Sequence, residues 1–326
     1  MVDVCGQICC LPAEVARLFA WYGEVEGELG DPVLHLEDAL QQASTFAIKL
    51  TDKYLGDRAG VELTKALASN NVLSVLQLNG CGLGDLFAAQ LEQLLMSNVA
   101  LKVLDLDLNM ISSVGLAGIC QGLTANRALR ELDLNRNEIG SEGAQHLAGA
   151  LTLNATLCKL SLHGNSIGDD GALSLAQALP QNAALQHLVL ERNNITDRGA
   201  AHLASGVAKN FTMRTLSLGS NSIADVGAVA LARMLSENGV LQEFHLDDNL
   251  VADEGAEAIA GALEQNRGLT ELWLVDNLFS PRVARSFATA LMRNGALRRL
   301  GLSSDKRGDA GAIRMLEAAG RWRRAR

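Results

Sequence analysis

Nine residues spaced by 28 constrain this chain more than any other feature: Leu73, Leu101, Leu129, Leu157, Leu185, Met213, Leu241, Leu269 and Leu297. Each opens the same pattern. The unit that begins at Leu129 continues with Leu132, Leu134, Asn137 and Ile139, then Gly143, Leu147, Leu151 and Asn154 at fixed offsets. Asn137 has counterparts at Asn109, Asn165, Asn193, Asn221, Asn249 and Asn277, and Cys81 takes that place in an earlier unit. A second asparagine closes each unit: Asn70, Asn98, Asn126, Asn154, Asn182, Asn210, Asn238, Asn266 and Asn294. Self-similarity at this period marks a solenoid, in which a unit buries its apolar face only against its neighbours.

Within a unit the apolar spacing changes from alternate residues at Leu132 and Leu134 to steps of four at Gly143, Leu147 and Leu151. That predicts a short strand followed by a helix. Asp57, Asp85, Ser113, Ser141, Asp169, Asp197, Asp225, Asp253 and Asp309 share one repeat position, suited to capping the free N–H groups at the start of their own helices. Ser280-Pro281 takes that role in a later unit, with Ser as cap and Pro at the first helical position. Gly143 and its equivalents let the helix approach the strand side closely. An inward amide at the Asn137 position satisfies turn backbone groups that the sheet no longer pairs. Stacked strands lie about 4.8 Å apart and stacked helices about 8–10 Å apart. The expected body is therefore a horseshoe with a parallel sheet on the concave face and helices on the convex one.

The consensus LxxLxLxxNxIxxxGAxxLxxxLxxN resembles the ribonuclease-inhibitor-like leucine-rich repeat family, which includes the repeat regions of NOD-like receptors and the Ran GTPase-activating protein. The resemblance covers roughly residues 45 to 326. It implies an α/β leucine-rich-repeat solenoid of about ten repeats and protein recognition on the concave face. Nothing in the sequence matches GxxxxGK[ST], so the nucleotide-binding domain of a complete NOD-like receptor is not expected.

The expected organisation is a helical N-terminal cap over residues 1–44, nine repeats over 45–296, and a degenerate last repeat with a basic tail over 297–326. Leu11, Val15, Leu18, Phe19, Tyr22 and Val25 recur at helical spacing in the cap, and the first strand is expected at Ile48–Leu50. Leu11-Pro12-Ala13-Glu14-Val15 also resembles the start of an F-box. The tail Arg321-Trp322-Arg323-Arg324-Ala325-Arg326 is of a kind that contacts nucleic acid or anionic lipid; the reading that fits the negative chain better is the C-terminus of a helix, where cations are favoured, with Trp322 over the last repeat's apolar edge.

Composition narrows the function. With 48% apolar residues and no Pro- or charge-rich linker, the 326-residue chain reads as one continuous folded body. A net charge of −9 disfavours polyanion partners such as nucleic acid and leaves basic ones. No apolar run is long enough for a membrane span, and the acidic Met1-Val2-Asp3 start lacks the positive region of a signal peptide. A cytoplasmic protein, monomeric, is expected. Cys81, Cys120 and Cys158 fall inside periodic segments, which predicts reduced thiols, and Cys5, Cys9 and Cys10 have no neighbouring His to complete a zinc site. The sequons at Asn154, Asn194 and Asn210 belong to the repeat pattern.

Residues between the strand leucines alternate away from the core onto the open sheet face. One column there runs Ser161, Val189, Ser217, His245, Trp273 and Gly301. Trp273 stands out, because an aromatic on that face has no core to serve. With Val275, His245, Glu243, Asp247, Asp248, Glu271 and Asp276 around it, it has the composition of an anchor with an acidic rim for a protein partner with a basic surface. The alternative is that Trp273 only packs on neighbouring side chains. Asp105, Asp107, Glu131 and Asp133 form a second acidic patch, either a contact surface or a solvated one.

Catalysis is poorly supported. Ser217 and His245 are expected as cross-strand neighbours, yet an open parallel sheet offers no evident oxyanion hole or buried orienting carboxylate. His163 and His187 lie too far apart along their strands for shared metal ligation. The leading expectation is a non-enzymatic scaffold or receptor-like module that needs no cofactor or metal. One alternative is a GTPase-activating protein, with Arg136 or Arg192 as charge stabiliser. A second, resting on Leu11 to Val15, is a substrate adaptor for ubiquitin ligation.

Overall fold

A computed structural model describes residues 47–52 and 54–302. The expected N-terminal cap with its F-box-like start, the Cys5, Cys9 and Cys10 group and the basic tail lie outside the described residues. Two compact units are present. One holds β1 (Ala47–Lys49), α1 (Gly56–Leu67), β2 (Val75–Gln77), α2 (Asp85–Ser97), β3 (Val103–Asp105), α3 (Ser113–Ala125) and β4 (Glu131–Asp133). The other holds α4 (Gly140–Leu153), β5 (Lys159–Ser161), α5 (Gly168–Ala178), β6 (His187–Val189), α6 (Asp197–Ala208), β7 (Thr215–Ser217) and α7 (Asp225–Glu237). It continues through β8 (Glu243–His245), α8 (Asp253–Leu263), β9 (Glu271–Trp273), a 3₁₀ turn (Pro281–Val283), α9 (Ala284–Arg293) and β10 (Arg299–Gly301).

All described pairings inside each unit are parallel and join consecutive strands with a shift of one repeat, as in Leu188 against Leu216 and Leu216 against Phe244. The predicted strand–helix alternation is therefore the observed one. The first strand begins one residue earlier than expected, at Ala47. Each strand has three residues, so only its central side chain points inward. Leu188, with Leu185, Leu190, Ile195, Leu203 and Val207, is fully buried in the core. Each such aliphatic side chain contributes about 1.5–3 kcal/mol by leaving water, and the stack repeats that gain once per unit.

Two asparagine ladders stitch successive repeats. Asn193 Oδ1 accepts the N–H groups of Asn165 at 3.0 Å and Ile167 at 3.3 Å, while Nδ2 donates to Leu162 O at 2.8 Å and Glu191 O at 3.0 Å. The amide thus serves the preceding turn as well as its own. At the opposite edge Asn182 Nδ2 donates to Leu151 O and Asn154 O, and its Oδ1 accepts from Ala184 and Leu185. Both amides are buried, where unpaired backbone groups are most costly.

The aspartates do not cap their own helices. Asp197, Asp225 and Asp253 are the first helical residues, and the caps are Thr196, Ala224 and Ala252. Their carboxylates reach forward one repeat instead: Asp197 Oδ1 accepts from Ala224 N at 2.7 Å and Gly227 N at 2.9 Å. A carboxylate fixed on one helix start thereby satisfies free N–H groups of the next. Ser280 follows the same rule, since its hydroxyl donates to Asp253 Oδ2 at 2.9 Å and makes no cap bond to its own helix. Pro281 does occupy the first position of the 3₁₀ turn. Gly227 leaves room for this contact and for the core beside it, because a Cβ there would meet Asp197 Oδ1 at 2.7 Å and the buried Ile223 Cγ2 at 2.8 Å.

Candidate functional site

On β7 to β9 the inward residues Leu216, Phe244 and Leu272 are buried, which turns the flanking residues onto the open face. The register sets Ser217, His245, Trp273 and Gly301 side by side, and Thr215, Glu243, Glu271 and Arg299 beside them. Asp247 and Val275 follow just past the strand ends.

Trp273 and His245 are stacked, with ring centroids 6.2 Å apart and planes within 10°. Trp273 is half-buried, because its indole reaches over Gly301, where a Cβ would come within 2.6 Å of Cε3 and 3.0 Å of Val275 Cγ2. It is thus held by its neighbours and still presents surface.

Around this pair the carboxylates differ in freedom. Asp247 is half-buried; Oδ1 accepts from Val275 N at 2.9 Å and Oδ2 stands 3.8 Å from His245 Nδ1. Burial pushes its carboxyl above its ordinary pKa, the Glu191 charge adds to the push, and the Val275 N–H and His245 pull against it. Glu243 accepts from Thr215 Oγ1 at 3.2 Å, and that hydroxyl is 2.9 Å from His187 Nδ1. Glu271 is held by Arg299 Nη1 at 3.0 and 3.1 Å, so it contributes less free negative charge than the sequence suggests. Asp248 and Asp276 are exposed in the turns after β8 and β9, both in the left-handed region, and Asp248 accepts from Ser220 Oγ at 2.9 Å.

The sequence reading missed Glu191 as a member of this group. Its Oε1 accepts from Ser217 Oγ at 2.5 Å and its Oε2 lies 3.2 Å from His163 Nδ1. The signal available was the column itself: Glu191, Gly219 and Asp247 share one repeat position, and a Cβ at Gly219 would lie at ordinary contact distance, 3.5 Å, from Glu191 Cγ. Ser217 accordingly donates to Glu191, although His245 is its cross-strand neighbour. Among the described residues no group of three or more His, Cys, Asp or Glu could hold a metal ion.

The acidic patch of the other unit is assembled on β3 and β4, with Asp105 beside Asp133 and Val103 beside Glu131. Two of its carboxylates serve their own chain: Asp105 Oδ1 accepts from Asp107 N at 3.1 Å and Asp133 Oδ1 from Asn135 N at 2.9 Å. Arg136 Nε approaches Asp107 Oδ1 at 3.8 Å. Glu131 is exposed and the other three are half-buried. This patch is partly turn scaffolding.

A family model described as Leucine Rich repeat matches residues 125–148, 153–176, 181–204, 209–232 and 238–260. These segments are leucine-rich repeats, and the fold they belong to is a leucine-rich-repeat solenoid. No curated protein matches the sequence. Among solved structures, "Leiomodin-1 Actin-Binding Site 2 (ABS2)" is similar at 24% identity and a TM-score of 0.38, covering 46% of this chain and 86% of that one. The Caenorhabditis elegans tropomodulin C-terminal domain is similar at 12% identity and a TM-score of 0.33, covering 63% and 90%.

Proposed function

We propose that this leucine-rich-repeat protein is a non-catalytic scaffold or receptor-like module that binds a protein partner with a basic surface on the open sheet face of β7 to β9. The observation that carries the reading is the stacked Trp273–His245 pair, half-buried, with Asp247 Oδ2 3.8 Å from the His245 ring, Glu243 on the same strand as His245, and Asp248 and Asp276 exposed in the turns that follow. An aromatic held in place by its neighbours loses little entropy on binding, and carboxylates at the rim steer a cationic partner toward it. The full α-helix in each repeat supports the ribonuclease-inhibitor-like class. The buried thiols of Cys81 and Cys120, the latter pushed up to about 12 by burial and so kept protonated, suit a reducing cytoplasm. We read the protein as monomeric.

The test is affinity. A partner recovered by capture on the wild-type protein is measured against Trp273→Ala and against the helix-face variant Arg233→Glu. Loss with the first and retention with the second supports the sheet face, and the reverse places binding on the helices.

A further inference from the structure

This inference deepens the reading above, on which it rests, by naming the chemical group that the sheet face receives. Two features of the open face from the end of β6 to β9 bear on it. First, Glu191 and Asp247 stand on either side of Gly219, where a Cβ would lie 3.5 Å from Glu191 Cγ and 3.4 Å from the Asp247 carbonyl oxygen, and the Glu191 charge disfavours ionisation of Asp247. Their oxygens face Ser217 Oγ and His163 Nδ1 on Glu191, and the Val275 N–H and a His245 ring nitrogen 3.8 Å away on Asp247. No Lys or Arg is within ion-pair distance of either among the described residues, in contrast to Glu271 with Arg299. Second, the stacked pair of Trp273 and His245 adjoins Asp247.

A face that combines two carboxylates without a Lys or Arg partner and an aromatic stack has a definite complement. A lysine ammonium is compact and strongly hydrated, and it satisfies the charge alone. A guanidinium is planar, stacks on aromatic rings, and carries donors in a fork that two carboxylates accept together. We propose that the partner docks through an arginine whose guanidinium bonds Glu191 and Asp247 and stacks against the Trp273–His245 pair.

The experiment is a titration of the full chain, followed by NMR at pH 7.5, with glycine pentapeptides carrying a central arginine, lysine or citrulline. Citrulline has the shape of arginine without its charge. The expected result is that the arginine peptide shifts the Gly219 and Asp247 amides and the Trp273 indole N–H, assigned with Trp273→Phe. The lysine peptide should bind several-fold more weakly and the citrulline peptide at least about tenfold more weakly. Glu191→Gln with Asp247→Asn, each of which keeps one acceptor oxygen and loses the charge, should remove the arginine shifts. Equal shifts from arginine and citrulline, equal affinity for arginine and lysine, shifts away from these residues, or an unaltered response in the double variant would each overturn the arginine seat. If the seat fails while Trp273→Ala still abolishes partner binding, only this inference is lost. If the peptide binds as expected while Trp273→Ala leaves the partner's affinity intact, the seat stands and the sheet-face function is lost.

Discussion

Asp169 holds the first turn of a helix to which it does not belong: its Oδ1 accepts the N–H of Gly199 at 2.9 Å, from 30 residues earlier in the chain. The same oxygen accepts Thr196 N at 2.8 Å, and Oδ2 accepts the Thr196 hydroxyl at 2.7 Å. Burial raises the pKa of this carboxyl as the largest single effect, but the Thr196 hydroxyl, the Thr196 and Gly199 N–H groups and Arg198 together outweigh it, and the net shift is downward. A carboxyl whose folded pKa lies below its unfolded value stabilises the fold above the unfolded pKa, near 3.9, and loses that contribution as pH falls through the folded value. Asp169→Ala is therefore expected to lower stability at pH 7 by about 1–2 kcal/mol, the scale of a lost helix cap. In urea titrations at pH 7 and below pH 3 the gap between wild type and variant should close in acid.

Gly199 makes this contact possible. A Cβ there would meet Asp169 Oδ1 at 2.5 Å and Ile195 Cγ2 at 2.8 Å. Alanine normally favours a helix over glycine by about 1 kcal/mol, so Gly199→Ala is a sharp case: it should destabilise despite that gain. In the double variant with Asp169→Ala, where the carboxylate is gone, the loss should be less than the sum of the two single losses. Additive losses in denaturation midpoints would show that the two residues are not coupled.

Asn193 serves backbone groups of two repeats from one amide. Asn193→Leu should cost about 1–3 kcal/mol through buried donors and acceptors left unsatisfied. An unchanged unfolding midpoint would refute its bridging role.

Asp247 behaves oppositely to Asp169. Its folded pKa is raised, so its ionised form disfavours the fold and that cost is relieved as pH falls through the folded value. Asp247→Asn, which still accepts from Val275 N–H, should leave stability at pH 7 unchanged or slightly higher and lose any advantage over wild type in acid. A clear loss of stability at pH 7 would contradict the assignment of burial as its main influence.

The period made the strands, helices, core leucines and inward asparagines legible, because each is fixed by what a single repeat must bury. What passes between repeats was not. The Asp169 to Gly199 bond joins positions that look like two separate local signals, a cap and a small residue, and only the stacking brings them together. The left-handed turn at Leu108, Arg136, Arg192 and Asp248 was equally hidden, since those residues carry no glycine to announce it. At the candidate site Trp273 was legible as an outward aromatic. Its seat over Gly301, the Arg299 clamp on Glu271 and the Ser217 bond to Glu191 were not, because each depends on a neighbour's rotamer rather than on a column.

The sheet-face assignment is tested most directly by the partner's affinity for Trp273→Ala, read together with the variant's own unfolding midpoint. The indole packs on His245 and Gly301 outside the leucine core, so Trp273→Ala should stay folded and lose about 1–3 kcal/mol of stability, the scale of one largely covered apolar side chain. Partner binding should weaken by about 2 kcal/mol or more, as for a central aromatic anchor. An unaltered affinity for Trp273→Ala, with binding abolished by Arg233→Glu on α7, would contradict the sheet-face site and assign recognition to the helices.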